Sequence, residues 1–441
     1  MSFRWVVAFA FSASLVFASF PAQAAAGDTY WTHIYAGSAG KLDTIAGIAV
    51  DPTRPSLVWV LGTSVGADTH TDIVTMALDA STGSAVWVRR YDGRAHGRDR
   101  AVAISATFGM VVVTGSSQTR VGSRATHTVT IAYVGQTGQH MWTDRFSTAS
   151  GEEQRPIDLE GVDDGRFYVL VGGTPHGQVV EYEYTGTQKW HAPVTTSTLA
   201  NLVTLEEQAG HLIAVGNLVT ANGSAYLTTR LNELDGAVEW SKRYNGASDA
   251  GAKATDAVVS GTLVYVTGIA TDGTAEAITT IGYGTQNGKR GRLTTIPAQA
   301  PGNADADPHV AGTADGTYLV LSASSELDGV GTFLTREYGA DGSVSWTSRL
   351  NGPNDSGSVQ AVTLDANGDV AVTGRGTTTA SAPGPLSVGY NALGTSTFTA
   401  SIAPVTHDDV GRVTVFDGSA SHVLVGSNWD DDLRVDSYAL S

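Results

Sequence analysis

Ala77-Leu78-Asp79-Ala80-Ser81-Thr82-Gly83-Ser84-Ala85-Val86-Trp87 decides how this chain folds. The residues before Asp79 read as a strand, the Asp, Ser, Thr and Gly that follow read as a turn, and Trp87 belongs to the next strand. The four-residue step from Gly83 to Trp87 returns along the sequence, as Gly138 to Trp142, Gly186 to Trp190, Gly236 to Trp240 and Gly342 to Trp346. Arg292 takes the aromatic's place after Gly288, Phe398 takes it after Gly394, and Gly27 with Trp31 adds a copy near the start. A period of roughly fifty residues sustained over the chain marks a repeat architecture, and at this length the repeat is a propeller blade.

Each repeat holds four short runs rich in Val, Ile, Thr and Tyr. In the second they are Ala101 to Ser105, Met110 to Thr114, Thr128 to Tyr133 and Met141 to Arg145, named here A to D. A glycine stands in the A-to-B turn of seven repeats, at 109, 165, 210, 261, 316, 368 and 418. Tight hairpins need a positive φ that glycine reaches without steric cost. A second glycine recurs in or after run B at 62, 115, 172, 216, 268, 374 and 426, and Ser322 replaces it once. Glycine there predicts a bulge or a close backbone approach. The chain opens with a D run at Trp31 and ends with a C run, Leu433 to Leu440. The expected fold is therefore an all-β, eight-bladed propeller of four-stranded blades. It closes by pairing the N-terminal outer strand with the three C-terminal strands, which removes two exposed edges.

The Ala77 to Trp87 stretch resembles the A-x-D-x-x-T-G-x-x-x-W motif of pyrroloquinoline-quinone-type (PQQ-like) propeller repeats. Such repeats are those of quinoprotein alcohol dehydrogenases and of the outer-membrane assembly protein BamB. Thr137-Gly138 to Trp142 and Thr185-Gly186 to Trp190 match in part, and the recurring Trp-x-x-Arg-Tyr/Phe and Val-Thr-Gly segments are similar to those of exported bacterial propellers. The resemblance covers the chain after residue 24 and speaks for architecture more than activity. It implies that Trp31, Trp87, Trp142, Trp190, Trp240 and Trp346 pack between neighbouring blades; a set of glycan-stacking platforms is the alternative. Quinoprotein alcohol dehydrogenases generally set adjacent cysteines against their cofactor, and this chain has no cysteine. PQQ is therefore not expected.

Residues 1–24 read as a cleaved signal peptide, with Arg4, an apolar run from Trp5 to about Phe20, and Ala22-Gln23-Ala24 as the cleavage signal. Cleavage leaves residues 25–441 as a single propeller domain, secreted or periplasmic, with no integral membrane segment. In an oxidising compartment a chain without cysteine has no disulfide to hold it, so its apolar core must suffice. The net charge of −17 disfavours nucleic acid and anionic membranes as partners.

Candidate site residues fall in the D-to-A and B-to-C connections, which share the face around the channel mouth. A carboxylate or its amide stands ahead of each A run: Asp43, Asp99, Glu153, Asn201, Asp249, Asp307, Asp355 and Asp409. They read either as an acidic ring or as caps for their own turns, the latter favoured. Asp99, Asp307, Asp355 and Asp409 are the ligand-binding candidates of this set. His96, His309 and His407 lie beside carboxylates in the same connections and are candidate general bases or metal ligands. Trp429 is the tryptophan of a B-to-C loop and a candidate ligand platform, and Asp430, Asp431 and Asp432 after it are candidate Ca2+ ligands.

The regularity of the repeats points to a non-catalytic binding or scaffolding module. It would be monomeric, bind a protein or glycan at the channel face and need no cofactor beyond Ca2+. The alternative is an enzyme at the channel mouth, a glycan lyase or hydrolase or a quinoprotein-like dehydrogenase.

Overall fold

The computed structural model describes residues 28–439 apart from 38–40, 52, 67–69, 148–153, 174–175, 222, 272–273, 298–306, 328–329, 352–356, 377–382, 403–409 and 417–421. The expected signal peptide, Gly27, Glu153, Asp355, His407 and Asp409 lie outside the described residues. Among the described residues no helix is long and apolar enough to cross a membrane.

The chain forms eight four-stranded antiparallel sheets. Blade 1 comprises Thr44–Val50, Leu57–Val65, Thr71–Asp79 and Ala85–Tyr91 as strands A to D, and blade 2 comprises Asp99–Thr107, Met110–Gln118, Thr126–Val134 and His140–Phe146. Blade 3 runs from Arg155 to Pro193, blade 4 from Leu199 to Tyr244, blade 5 from Ala252 to Pro297, blade 6 from His309 to Asn351 and blade 7 from Ser358 to Ser401. Blade 8 takes Val410–Phe416, His422–Trp429 and Asp432–Ala439 from the C-terminal end and Thr29–Tyr35 from the N-terminal end. The A strands of successive blades touch all the way round, so the sheets form a closed ring with A innermost.

Glycine makes the hairpins where a positive φ is required. Gly109 sits at φ 73° in the A-to-B turn of blade 2, and Gly83 at φ 69° in the C-to-D turn of blade 1. The tryptophans interlock the outer rim. Trp87 of blade 1 lies against Gly138 of blade 2, where a Cβ would come within 2.5 Å of the ring, and its Nε1–H donates to the Gly135 carbonyl at 2.9 Å. Trp31 repeats this on Ala80 at 2.8 Å, Trp190 on Glu233 at 3.1 Å and Trp240 on Thr285 at 3.0 Å. Arg292 fills the same place, donating from Nη2 to the Ala340 carbonyl at 2.8 Å. Where the ring closes, Phe398 has no N–H to place and stacks on Tyr438 at 5.6 Å.

The second glycine series has its own cause. In seven blades strand A slips register by one residue opposite the glycine region of strand B, as between Ile45 and Gly47 facing Gly62, or between Ala254 and Asp256 facing Gly268. A Cβ at residue 62 would stand 2.8 Å from the Thr44 carbonyl oxygen. Blade 6 supplies the control. Ser322 replaces the glycine there, and its A and B strands pair without a slip.

The bulge frees a backbone N–H, and the preceding blade accepts it. Ile45 donates to Asn428 Oδ1 at 3.0 Å, Ala101 to Thr63 Oγ1 at 3.0 Å, Ala254 to Asn217 Oδ1 at 2.7 Å and Val359 to Ser324 Oγ at 2.9 Å. Buried Asn428 and Asn217 and half-buried Thr63 and Ser324 satisfy a donor that the sheet leaves unpaired, and in doing so staple blade to blade. In blade 3 the equivalent residue is Pro156, which has no N–H to offer.

Candidate functional site

A cavity of about 1310 Å³ opens at the channel mouth beside Pro156, centred on blade 2 and reaching blades 1 and 3. Its wall carries Arg98 and Arg100 at the start of strand A, Arg124 in the B-to-C loop and Arg155 of blade 3. Hydroxyl and amide groups of Thr63, Ser116 and Gln118 line the rest, with no carboxylate among the described lining residues. Among the described residues the side chains of Arg98, Arg100 and Arg124 make no ion pair or hydrogen bond. A chain of charge −17 thus presents three arginines without a described partner at its mouth.

Strand alternation builds this wall. Arg98 and Arg100 line the cavity, whereas Asp99 between them points the other way and is 1% exposed. Asp99 Oδ2 accepts the Gly93 N–H at 2.5 Å. Asp43 does the same in blade 1, accepting Gly37 at 2.5 Å and Val65 at 3.2 Å. Both carboxylates are therefore turn caps. Gln118 joins the two cavity loops. Its Oε1 accepts the Arg98 N–H at 2.8 Å, its own N–H donates to the Arg98 carbonyl at 3.1 Å, and its Nε2 donates to the Ser123 carbonyl at 2.8 Å.

Behind the cavity, Asp72, Asp92 and Asp99 bring carboxylate oxygens within 4.8 Å of one another, the one such group of three among the described residues. Arg90 binds Asp72 at 2.8 Å, and His96 Nδ1 lies 2.6 Å from Asp92 Oδ2. Oδ1 of Asp92 and Oδ1 of Asp99 are buried without a hydrogen-bond partner. Burial raises the Asp99 pKa, with the nearby Asp72 and Asp92 charges adding to the effect. Hard oxygen ligands of this kind are the set that could hold Ca2+.

Among the described residues the acidic ring is incomplete. Counted from the bulge, the residues equivalent to Asp43 and Asp99 are Gln154, Ala200, Ala252, Gly357 and Asp409, the last outside the described residues. Asn201 lies within strand A, Asp249 ends a short 3-10 turn, and Asp307 is exposed ahead of blade 6. The expectation took carboxylates near each strand as equivalent, and a slip of one to three residues turns them elsewhere. Trp429 and the aspartates after it also differ from expectation. Asp430 and Asp431 have φ of 53° and 64°, making a two-residue hairpin turn between Trp429 and Asp432. That turn fixes its backbone on a neighbour, since the Asp431 carbonyl accepts the Asp43 N–H at 2.6 Å. The Arg434 guanidinium lies 5.2 Å from the Trp429 ring centre.

His96 and His309 do not converge. His96 sits in blade 2's entry turn, its side chain 73% exposed, and the bond to Asp92 raises its pKa. His309 stands across the ring in blade 6 with Asp256 at 3.4 Å. Sequence reasoning missed Asp72, Asp92, Arg124 and Arg155, which neighbour the noted residues only through strand pairing and loop folding.

A second acidic region, also missed, lies along the inner strands of blades 3 to 5. Asp158 accepts Leu205 N–H at 2.9 Å and Thr204 Oγ1–H at 2.7 Å, and Asp256 accepts Val310 N–H at 3.0 Å. Glu160 and Glu206 lie among them. Burial, reinforced by the neighbouring carboxylates, pushes Glu160 up to about 8 and Glu206 well above the usual range.

No protein-family model and no curated protein matches the sequence. Solved structures do. Saccharomyces cerevisiae Sqt1 is similar at a TM-score of 0.62 and 12% identity, covering 94% of this chain and 100% of that one. Chaetomium thermophilum Sqt1, bound to the N-terminus of a ribosomal protein, is similar at 0.58 and 13%, covering 94% and 100%. The quinohemoprotein alcohol dehydrogenase ADHIIG of Pseudomonas putida is similar at 0.56 and 12%, covering 94% and 76%. At such identities the likeness establishes the propeller fold and no activity.

Proposed function

We propose that this chain is an exported binding module that docks a protein partner on the channel-mouth face. The observation that carries the reading is the open cavity at blades 1 to 3, whose wall carries Arg98, Arg100 and Arg124 without a partner among the described residues and is held in shape by Gln118. Gln118 fixes the backbone of the two loops that carry Arg98 and Arg124, which lowers the ordering cost that a partner must meet. A propeller of the same shape, Chaetomium thermophilum Sqt1, is seen with the N-terminus of a ribosomal protein, which supports protein binding as a use for this fold. The signal-like N-terminus supports export.

A photo-crosslinking amino acid placed at Val121, beside the cavity, or at Leu234, in a C-to-D turn on the opposite face, tests the location. Both side chains are exposed. Protein adducts from Val121 and none from Leu234 are expected in cells expressing the full chain. Adducts from Leu234 alone, or from neither, would overturn the proposal.

A further inference from the structure

We propose that the occupant of the blade 1 to 3 cavity is an extended peptide segment carrying two or more carboxylate side chains, an inference that rests on the protein-binding reading above. The first argument is charge. Among the described residues Arg98, Arg100 and Arg124 have no ion-pair partner, although the chain carries 43 Asp and Glu against 26 Lys and Arg. The nearest carboxylates among the described residues are engaged elsewhere. Asp99 is turned into the gap between blades by Gly93, Asp92 is held by His96, and Asp72 is held by Arg90.

The second argument is the form of the wall. Guanidinium groups offer paired N–H donors that match a carboxylate, and three of them without competitors favour an anionic ligand over a neutral or basic one. Thr63, Ser116 and Gln118 between them suit the amides of a main chain. No Trp, Tyr or Phe stands among the described lining residues, so the broad stacking surface that sugar rings favour is missing there. The volume of about 1310 Å³ exceeds what a single amino acid fills, and a segment of several residues fits it. The third argument is the surroundings. A long, uniformly anionic polymer would run from this patch onto an acidic surface and be repelled, whereas a short acidic segment meets the cationic wall alone.

Fluorescence anisotropy with the purified full chain tests this. The probe is a labelled peptide of about eight residues alternating Glu with Ala and Gly, compared with versions carrying Gln or Lys in place of Glu. The Glu peptide is expected to bind at least about tenfold more tightly than the Gln peptide, and to weaken when salt rises from about 50 to about 300 mM. Arg98→Ser with Arg124→Ser should remove that preference while the thermal melt stays unchanged, because both side chains are exposed and unpaired. Arg124→Glu should move the preference toward the Lys peptide, a gain that misfolding cannot imitate. Equal binding of the Glu and Gln peptides, or no loss in the double variant, would overturn the inference. Oligogalacturonate binding more tightly than the Glu peptide would overturn it in favour of an acidic glycan. Adducts at Val121 together with no Glu-peptide preference would leave the docking face standing and remove the acidic peptide.

Discussion

The outer rim and the channel mouth are built from the same repeat, yet they obey opposite rules. On the rim one contact recurs: an aromatic of one blade rests on the turn glycine of the next and donates to a turn carbonyl. At the mouth the repeat breaks. Pro156 interrupts the series of bulge staples, Arg98 and Arg100 flank Asp99, which caps its own turn, and a cavity opens beside them. Repetition serves closure of the ring, and departure from it marks where a ligand can be held.

The largest effect expected from breaking the rim is that of Trp87→Ala. The indole is 7% exposed and packed on Gly138, so its loss should cost about 3–5 kcal/mol in denaturant unfolding. The Gly135 carbonyl keeps a donor in the variant, because Trp59 Nε1 also reaches it at 2.9 Å. A loss below about 1 kcal/mol would mean that the indole is not part of a blade-to-blade lock.

The inner acidic region responds to pH. Folded Glu160 keeps its proton to about pH 8, whereas the unfolded chain releases it near the ordinary value of 4.5. Between those values the native state binds more protons than the unfolded state, so wild-type stability falls as pH rises through that window. Glu160→Gln and Glu206→Gln cannot ionise. Each should be more stable than wild type by about 2 kcal/mol at pH 8, with the gap closing near pH 4. Stability curves that run parallel from pH 4 to 8 would show that these carboxyls titrate normally.

Restoring the consensus should do less. Arg292→Trp puts the usual indole on the blade 6 turn, where the guanidinium already reaches the Ala340 carbonyl, and a gain of up to about 1 kcal/mol is expected in thermal melts. A marked loss would show that the rim rule is not transferable between blades. The smallest effect concerns the Asp72, Asp92 and Asp99 cluster. Millimolar Ca2+ should raise the melting temperature over chelator by about 1–3 °C, and Asp99→Asn should reduce the gain. Identical melts would leave Asp99 as a turn cap alone.

The fold was legible because its determinants repeat. Gly83 and Trp87 recur with their spacing intact, and the replacement of glycine by Ser322 marks the blade whose bulge is absent. The mouth was legible only in part. His96, Arg98, Asp99 and Arg100 are adjacent in sequence and could be noted together, but strand alternation sends Asp99 one way and the arginines the other. Asp72 joins them from strand C of the preceding blade and Arg124 from the B-to-C loop of their own. Trp429 stood out by composition, while the two-residue turn after it depends on φ values that aspartates seldom adopt.

Blade 8 makes the order of assembly part of the architecture. Thr32 donates to Asp436 Oδ1 at 2.6 Å across a sequence separation of 404 residues, and Ala439 N–H reaches the Asp28 carbonyl at 3.1 Å. Closing a loop of that length from an open chain costs on the order of 5 kcal/mol in entropy, far less once the intervening blades have stacked. The seam therefore fastens last, and a ribbon of seven blades with two open edges precedes it. Because the two described ends lie side by side, a short linker joining them with new termini cut at another blade's C-to-D turn should yield a ring of the same shape, with its point of closure moved.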